Sequence, residues 1–279
     1  MRTLKSIPEL RRFVRKTRRE GKTIGFIPTM GALHEGHRSL IRRARAETDR
    51  VVVSIFVNAI QFDRKADFRS YPRTLYQDAR IAAAAGADVL FIPTARAMYP
   101  LDFETFVEVT RLGRQWEGRH RPGHFRGVTT VVAKLFHLVE PDTAYFGQKD
   151  AQQARIIRQM TRDLNFDVRI KILPTVREPD GLAMSSRNRL LPSELRRPSR
   201  ALFEALQEGT RLIQWGERRA DLVVRRMRQI LRRIPRSKID YVAIVDPETL
   251  EQVKRIRGKI QILLAVWVGR VRLIDNKVI

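Results

Sequence analysis

The chain contains no cysteine, which excludes disulfide frameworks, thiolate zinc sites and cysteine nucleophiles together. Long apolar runs are missing as well. The longest, residues 262–268, is strand-sized and falls far short of the roughly 18 residues that a membrane span requires. The opening residues, MRTLKSIPELRRF, lack the apolar stretch and small-residue cleavage site of a secretory signal. No Gly-x-Ser-x-Gly nucleophile elbow occurs either. These absences predict a cytoplasmic protein that neither enters a membrane nor forms a covalent acyl-enzyme. Acidic residues are scarce: 30 Asp and Glu stand against 55 Lys and Arg, a formal net charge of +25.

Such a charge attracts polyanions by electrostatics alone, but its distribution argues for a solvated surface. Basic residues run through the whole chain rather than gathering in a tail. In residues 221–234 an apolar stripe of Leu222, Val223, Met227, Ile230, Leu231 and Ile234 leaves Arg225, Arg228, Arg232 and Arg233 on the other side. The pattern is that of a surface helix with an arginine-rich wet face, and no specific nucleic-acid partner is expected.

With 279 residues, 43% of them hydrophobic, the chain can build one large domain and a small one. Short apolar strands at residues 23–28, 51–57, 89–93, 144–147 and 168–173 alternate with helical patterns at 37–48, 75–85, 128–139 and 151–164. That alternation predicts a parallel sheet with crossover helices, and near-continuous apolar strands agree, since such sheets are covered on both faces. After Pro174 the pattern changes to two helical segments, 193–214 and 219–234, then strands at 239–245, 260–268 and 271–274, with Gly269-Arg270 as a hairpin turn. The expected fold is α/β: a Rossmann-like parallel sheet over residues 1–175, followed by a small α+β domain over 176–279. No internal repeat or low-complexity linker separates them.

Three segments carry chemistry. Between the first strand and its helix lie Met30, Gly31, Ala32, Leu33, His34, Glu35, Gly36 and His37. Ligands of open α/β sheets bind outside the carboxyl ends of the strands, and a helix N-terminus there offers N–H groups to phosphate. Gly31 and Gly36 mimic a P-loop, but His37 and Arg38 stand where Lys and Ser/Thr belong. A zinc protease pair needs histidines four apart, and these are three apart. The second segment is Gly147, Gln148, Lys149 and Asp150, directly after a strand. Glycine permits close approach, Lys149 can reach phosphate, and Asp150 can cap the following helix or hold a ribose hydroxyl. The third, Met184, Ser185, Ser186, Arg187 and Asn188, offers two hydroxyls and a guanidinium to a triphosphate.

His34-x-Gly36-His37 is the His-x-Gly-His signature of a nucleotidyltransferase superfamily, and Met184 to Arg187 resembles that superfamily's second, ATP-closing loop. Together with Ser54-Ile55-Phe56-Val57-Asn58, Gln61-Phe62, Tyr71-Pro72-Arg73, Arg121-Pro122-Gly123-His124-Phe125, Pro174-Thr175-Val176-Arg177-Glu178 and Leu273-Ile274-Asp275-Asn276, these motifs resemble the pantothenate synthetase family over essentially the whole chain. The resemblance implies ATP-dependent joining of pantoate to β-alanine through a pantoyl-adenylate, with AMP and pyrophosphate released. It implies that Met30 through His37 line the ATP site, with His37 and His34 stabilising the α-phosphate. Gly147, Gln148, Lys149 and Asp150 would hold ribose and phosphates, with Lys149 also catalytic. Val176 would meet adenine through its backbone, and Met184, Ser185, Ser186 and Arg187 would close over the nucleotide. Gln61 and Gln153 would bind pantoate and β-alanine. Mg2+ and a homodimer are implied too, although the sequence has no dedicated carboxylate cage for the metal.

Some positions depart from the family's usual pattern. Ala59 replaces a proline that would stiffen the turn before Gln61. Asp63 stands for a glycine, Ala66 for an acidic residue, and Gln148 for a glutamate. Two other functions fit parts of the sequence. A different nucleotidyltransferase would share the histidine turn without needing Gln61 and Gln153. A basic nucleic-acid-binding protein would keep the fold without the catalysis.

Overall fold

The computed structural model describes all residues, 1–279. The chain divides into two compact units: residues 1–147 with 153–174, and residues 148–152 with 175–279. No helix is long and apolar enough to cross a membrane.

The first unit is built on a six-stranded parallel sheet in the order β1-β4-β3-β2-β5-β6. Its strands are β1 (Arg2–Leu4), β2 (Ile24–Thr29), β3 (Arg50–Ile55), β4 (Val89–Phe91), β5 (Thr143–Gly147) and β6 (Arg169–Leu173). The longer helices are α1 (Ile7–Arg19), α2 (Glu35–Glu47), α3 (Leu75–Ala84), α4 (His124–Val139) and α5 (Ala151–Asp163). Alternate strand residues point to opposite faces, so each strand feeds two cores. On one face Phe26, Val52, Val89, Phe91 and Phe146 pack with Leu10 and Val14 of α1, Val132 and Phe136 of α4, and Ile157 of α5. On the other, Ile27, Val51, Val53, Leu90 and Tyr145 pack with Leu40, Ile41 and Ala44 of α2 and Ala82 of α3. Burial on both faces explains the apolar runs that replace strict alternation.

β1 and α1 are not among the elements expected from the strand–helix alternation. The signal for α1 is nevertheless written in Ser6-x-x-Glu9. The Ser6 side chain accepts from the Glu9 N–H while the Glu9 carboxylate accepts from the Ser6 N–H, a complete capping box. α4 begins four residues earlier than the apolar spacing suggests, at His124, because Gly123 takes a left-handed φ of 80° and turns the chain into the helix.

The second unit packs helices against an antiparallel sheet, β7 (Ser237–Val245), β8 (Gln261–Val268) and β9 (Val271–Val278), with β8 central. Leu202, Leu206 and Ile213 of α6 (Ala201–Gln214) and Val223, Met227 and Ile230 of α7 (Ala220–Leu231) cover Ile262, Leu264 and Val266. β8 and β9 meet through the Gly269-Arg270 turn, where Gly269 has φ 58° and Val268 pairs with Val271. Two expectations need correction here. The single helix over 193–214 is broken into Ser193–Arg196, a 3-10 turn Pro198–Arg200 and α6, because Pro198 has no N–H to bond the carbonyl four residues back. The last strand does not stop at 274 but runs to Val278, its polar Asp275 and Asn276 paired with Leu264 and Leu263. Of the four arginines expected on the wet face, Arg225 on α7 and Arg232 and Arg233 just past its end are exposed, whereas Arg228 is half-buried.

An ion-pair cluster ties α2 to the sheet. The Glu47 carboxylate meets Lys171 of β6 at 2.7 Å and Arg43 at 2.6 Å, and accepts from the Tyr145 hydroxyl at 2.8 Å. The Lys171 hydrogen bond, more than any other partner, lowers its pKa from the ordinary 4.5 to about 2. A carboxyl depressed by folding contributes stability that is complete above its unfolded pKa and is lost as pH falls through the folded value. Glu47→Gln is therefore expected to flatten the decline in Tm between pH 4.5 and about 2. Thermal melts across that range test this; parallel curves for the two proteins would refute it.

Candidate active site

Three neighbouring strands, in the order β3-β2-β5, end where the candidate residues begin. The strand order reverses between β2 and β5, the kind of crevice in which open α/β sheets bind ligands. After β2 the chain makes a tight turn. Gly31 has φ 84° and Ala32 φ 51°, a left-handed conformation that alanine rarely adopts. Asp78, on the first turn of α3 and only 1% exposed, holds it there. Its Oδ2 accepts from the Ala32 N–H at 3.0 Å and its Oδ1 from the Leu33 N–H at 2.8 Å, with Thr74 donating to Oδ1 at 3.1 Å. Ala32 and Leu33 are buried, and their N–H groups are committed to Asp78, so these two residues shape the turn from within. Asp78 stands outside every recognised motif, and its role depends on α3 packing beside the turn.

His34 is the N-cap of α2, and its Nδ1 accepts from the Gly36 N–H at 3.2 Å. The His37 Nδ1 reaches back to accept from the His34 N–H at 3.3 Å. The pair thus forms a capping box of two imidazoles, with ring centroids 4.2 Å apart. A Cβ on Gly36 would lie 2.9 Å from His34 Cε1, so only glycine leaves room for that ring. A backbone N–H can only donate, so both Nδ1 atoms are acceptors, and each neutral ring carries its proton on Nε2. Two imidazole N–H donors are thereby held at the positive end of a 13-residue helix.

After β3, Ala59–Gln61 forms a 3-10 turn although the proline is missing. Gln61 is 7% exposed. Its Oε1 accepts from Asn58 Nδ2 at 2.9 Å, and its Nε2 donates to Met30 Sδ at 3.0 Å, joining this turn to the histidine loop. Asn58 is itself oriented by the Tyr99 hydroxyl at 2.9 Å and by the Gly127 carbonyl at 3.0 Å. Burial raises the pKa of Tyr99, which keeps it a donor. His124 Nδ1 lies 2.7 Å from the Gln61 carbonyl, to which it must donate. Gly127 allows α4 to lie against the Gln61 backbone, since a Cβ there would fall 2.7 Å from Gln61 Cα. Tyr99 and Gly127, distant in sequence, are the supports that sequence reading does not single out. Gly147 ends β5, and Gln153 is half-buried in the first turn of α5.

In the second unit Gln148–Asp150 forms a 3-10 turn in which Lys149 Nζ meets Asp150 Oδ1 at 3.4 Å. Val176 accepts from the Met184 N–H at 3.0 Å across a short hairpin that turns at Gly181, φ 91°. Beyond it Ser185 caps a 3-10 turn, its Oγ accepting from the Arg187 N–H at 3.2 Å. Asn188 fastens that turn from beneath, donating to Glu178 Oε1 at 2.5 Å and to the Ala183 carbonyl at 3.0 Å.

The profile of the family described as pantoate-beta-alanine ligase matches residues 2–278. The chain belongs to the pantoate-beta-alanine ligase family. Pantothenate synthetase from Thermotoga neapolitana is 53% identical over 279 residues, covering all of both chains. That from Heliobacterium modesticaldum is 54% identical over 283 residues, covering 100% of this chain and 99% of the relative. Among solved structures, pantothenate synthetase from Thermus thermophilus superposes with a TM-score of 0.94 at 44% identity over 99% of each chain. Pantoate-beta-alanine ligase from Francisella tularensis, complexed with beta-gamma ATP and beta-alanine, gives 0.82 at 34% identity over 99% of this chain and 97% of that one. The parallel sheet with its small antiparallel C-terminal sheet is therefore the fold of this ligase family, as the strand–helix pattern implies.

Proposed function

We propose that this ligase joins pantoate to β-alanine in two steps on one molecule of ATP, with the histidine capping box as its centre of charge stabilisation. A pantoate carboxylate oxygen attacks the α-phosphorus, the bond to the β-phosphate oxygen breaks, and pyrophosphate leaves. The amine of β-alanine then attacks the acyl carbon of the pantoyl-adenylate. The carbon–oxygen bond to AMP breaks, and the amine gives up a proton. No enzyme nucleophile is required, in keeping with the missing cysteine.

The observation that carries this reading is the pair of Nε2–H donors at the α2 N-terminus, which suits charge that builds on the α-phosphate. Lys149 and Arg187, with Ser185 and Ser186, supply charge and hydroxyl donors for the remaining phosphates, and Gly147 permits close approach. Gln61 and Gln153 each offer a donor and an acceptor to a hydroxy-acid. The Francisella tularensis complex with beta-gamma ATP and beta-alanine supports nucleotide and amine as ligands here. No group of three or more His, Asp or Glu residues is disposed to hold a metal. Mg2+ would be held mainly by the nucleotide's own phosphates, where it would offset their charge. A homodimer, which the sequence resemblance implies, and a cytoplasmic location belong to the same proposal.

Pantoate-dependent exchange of labelled pyrophosphate into ATP, with β-alanine left out, tests the order of steps. Exchange is expected with pantoate alone and should vanish without it. Exchange that requires β-alanine would mean a concerted reaction and would refute the adenylate.

A further inference from the structure

Adjacent residues near the end of β9 hold both of the proposed phosphate-binding arms of the second unit. Asn276 is 4% exposed, and its amide is saturated. Nδ2 donates to the Gln148 carbonyl at 2.8 Å and to the Lys149 carbonyl at 3.0 Å. Oδ1 accepts from Gln148 Nε2 at 3.1 Å and from Gln261 Nε2 at 3.0 Å. A primary amide has two N–H donors and two carbonyl lone pairs, and all four are used. Aspartate at this position would turn an acceptor against two backbone carbonyls.

Asp275, 3% exposed, faces the other arm. Its carboxylate receives both Nη atoms of Arg177, at 2.7 and 3.0 Å, and its Oδ1 also accepts from the Asn276 N–H at 2.8 Å. Arg177 in turn donates to the Gly181 carbonyl at 2.9 Å and lies over the Phe203 ring, 4.6 Å from its centroid. It therefore braces the hairpin that leads into Ser185 and Arg187. Lys149 and Arg187 are 38 residues apart in sequence (187 − 149), yet two neighbouring side chains anchor the turn that carries the one and the hairpin that leads to the other.

We infer that Asp275 and Asn276 are positioning residues for adenylation. They set the Lys149 turn and the Arg187 loop in one fixed relation, so that both cations meet one triphosphate without being ordered separately. This rests on the reading of Lys149 and Arg187 as phosphate ligands. Such presetting matters because a misplacement of about 1 Å can cost on the order of 10²-fold in rate.

The test uses the full chain and Asn276→Asp, which keeps size and acceptors but loses both donors. Two buried hydrogen bonds to backbone predict a loss of roughly 10²-fold in kcat/KM for ATP in pantoate-dependent pyrophosphate release. Pantoate affinity measured without nucleotide should stay within about twofold, because that ligand's proposed glutamines lie elsewhere. Combining Asn276→Asp with Lys149→Ala should add little to the loss from Lys149→Ala alone, since one acts through the other. A purely structural role would instead make the losses multiply and would lower pantoate affinity as well; either result overturns the inference. So does an Asn276→Asp enzyme with wild-type ATP kinetics beside a crippled Lys149→Ala. An unimpaired Lys149→Ala would bring down the phosphate-ligand reading itself, and this inference with it. Should Asn276→Asp fail to fold, Gln261→Met removes one of the four bonds. It is expected to cost about tenfold in the same parameter, and unchanged ATP kinetics in that variant would overturn the inference equally.

Discussion

His37→Ala is expected to slow pantoyl-adenylate formation by about 10²–10³, while ATP binding changes far less. The imidazole has two separable duties. Its Nδ1 caps α2 by accepting from the His34 N–H at 3.3 Å, and its Nε2–H is the proposed donor to the α-phosphate. Alanine removes both and adds a capping loss of about 1 kcal/mol. Two further variants separate them. Asn can place an acceptor near the Nδ1 position, so His37→Asn should keep the cap and melt close to wild type, yet lose the rate. Gln can place a donor near the Nε2 position, so His37→Gln should melt lower but recover part of the rate. Single-turnover pyrophosphate release with ATP and pantoate, alongside thermal melts, gives both quantities. If rate follows stability across the three variants, the histidine is a cap and nothing more.

Asp78→Ala is expected to lower stability by about 2–6 kcal/mol, because it leaves two buried N–H groups, of Ala32 and Leu33, without an acceptor at about 1–3 kcal/mol each. The left-handed Ala32 at φ 51° has no reason to persist once those bonds are gone, since such a conformation costs on the order of 1–3 kcal/mol. The turn should relax, and the histidine cap that starts two residues later should lose its placement. Activity in the folded fraction is therefore expected to fall by more than about tenfold, which a change of about 1.4 kcal/mol would already produce. Asp78→Asn should be intermediate, retaining one oxygen acceptor and turning an amide donor towards the other N–H. Urea unfolding and steady-state pantothenate formation test these expectations. A loss of stability below about 1 kcal/mol would show that the turn holds its own conformation.

Much of this ligase is legible in its sequence, for identifiable reasons. Strand runs such as Val51-Val52-Val53 must be covered on both faces, and that alone implies a parallel sheet with helices on each side. The Gly-rich turn before His37 announces a helix N-terminus outside a strand, and the combination of motifs marks the family. Local patterning has a short reach, however. Pro198 interrupts a helix whose apolar spacing runs on through it. Asp275 and Asn276 look like the end of a strand, yet they continue it, because polar side chains can be buried once every donor and acceptor is met.

The sequence by itself determined the α/β class, the family, and which residue types stand at the strand ends, since these follow from periodicity and from contiguous motifs. Only the tertiary structure decided what holds those residues in place. Asp78 reaches Ala32 in the histidine turn from a helix 46 positions away. Tyr99 and Gly127 orient Asn58, and through it Gln61, from 41 and 69 positions away. Asn276 grips Lys149 across 127. Hydrogen bonds are directional and short, so a partner far along the chain counts only when the fold brings it to about 3 Å, and no local pattern encodes that meeting.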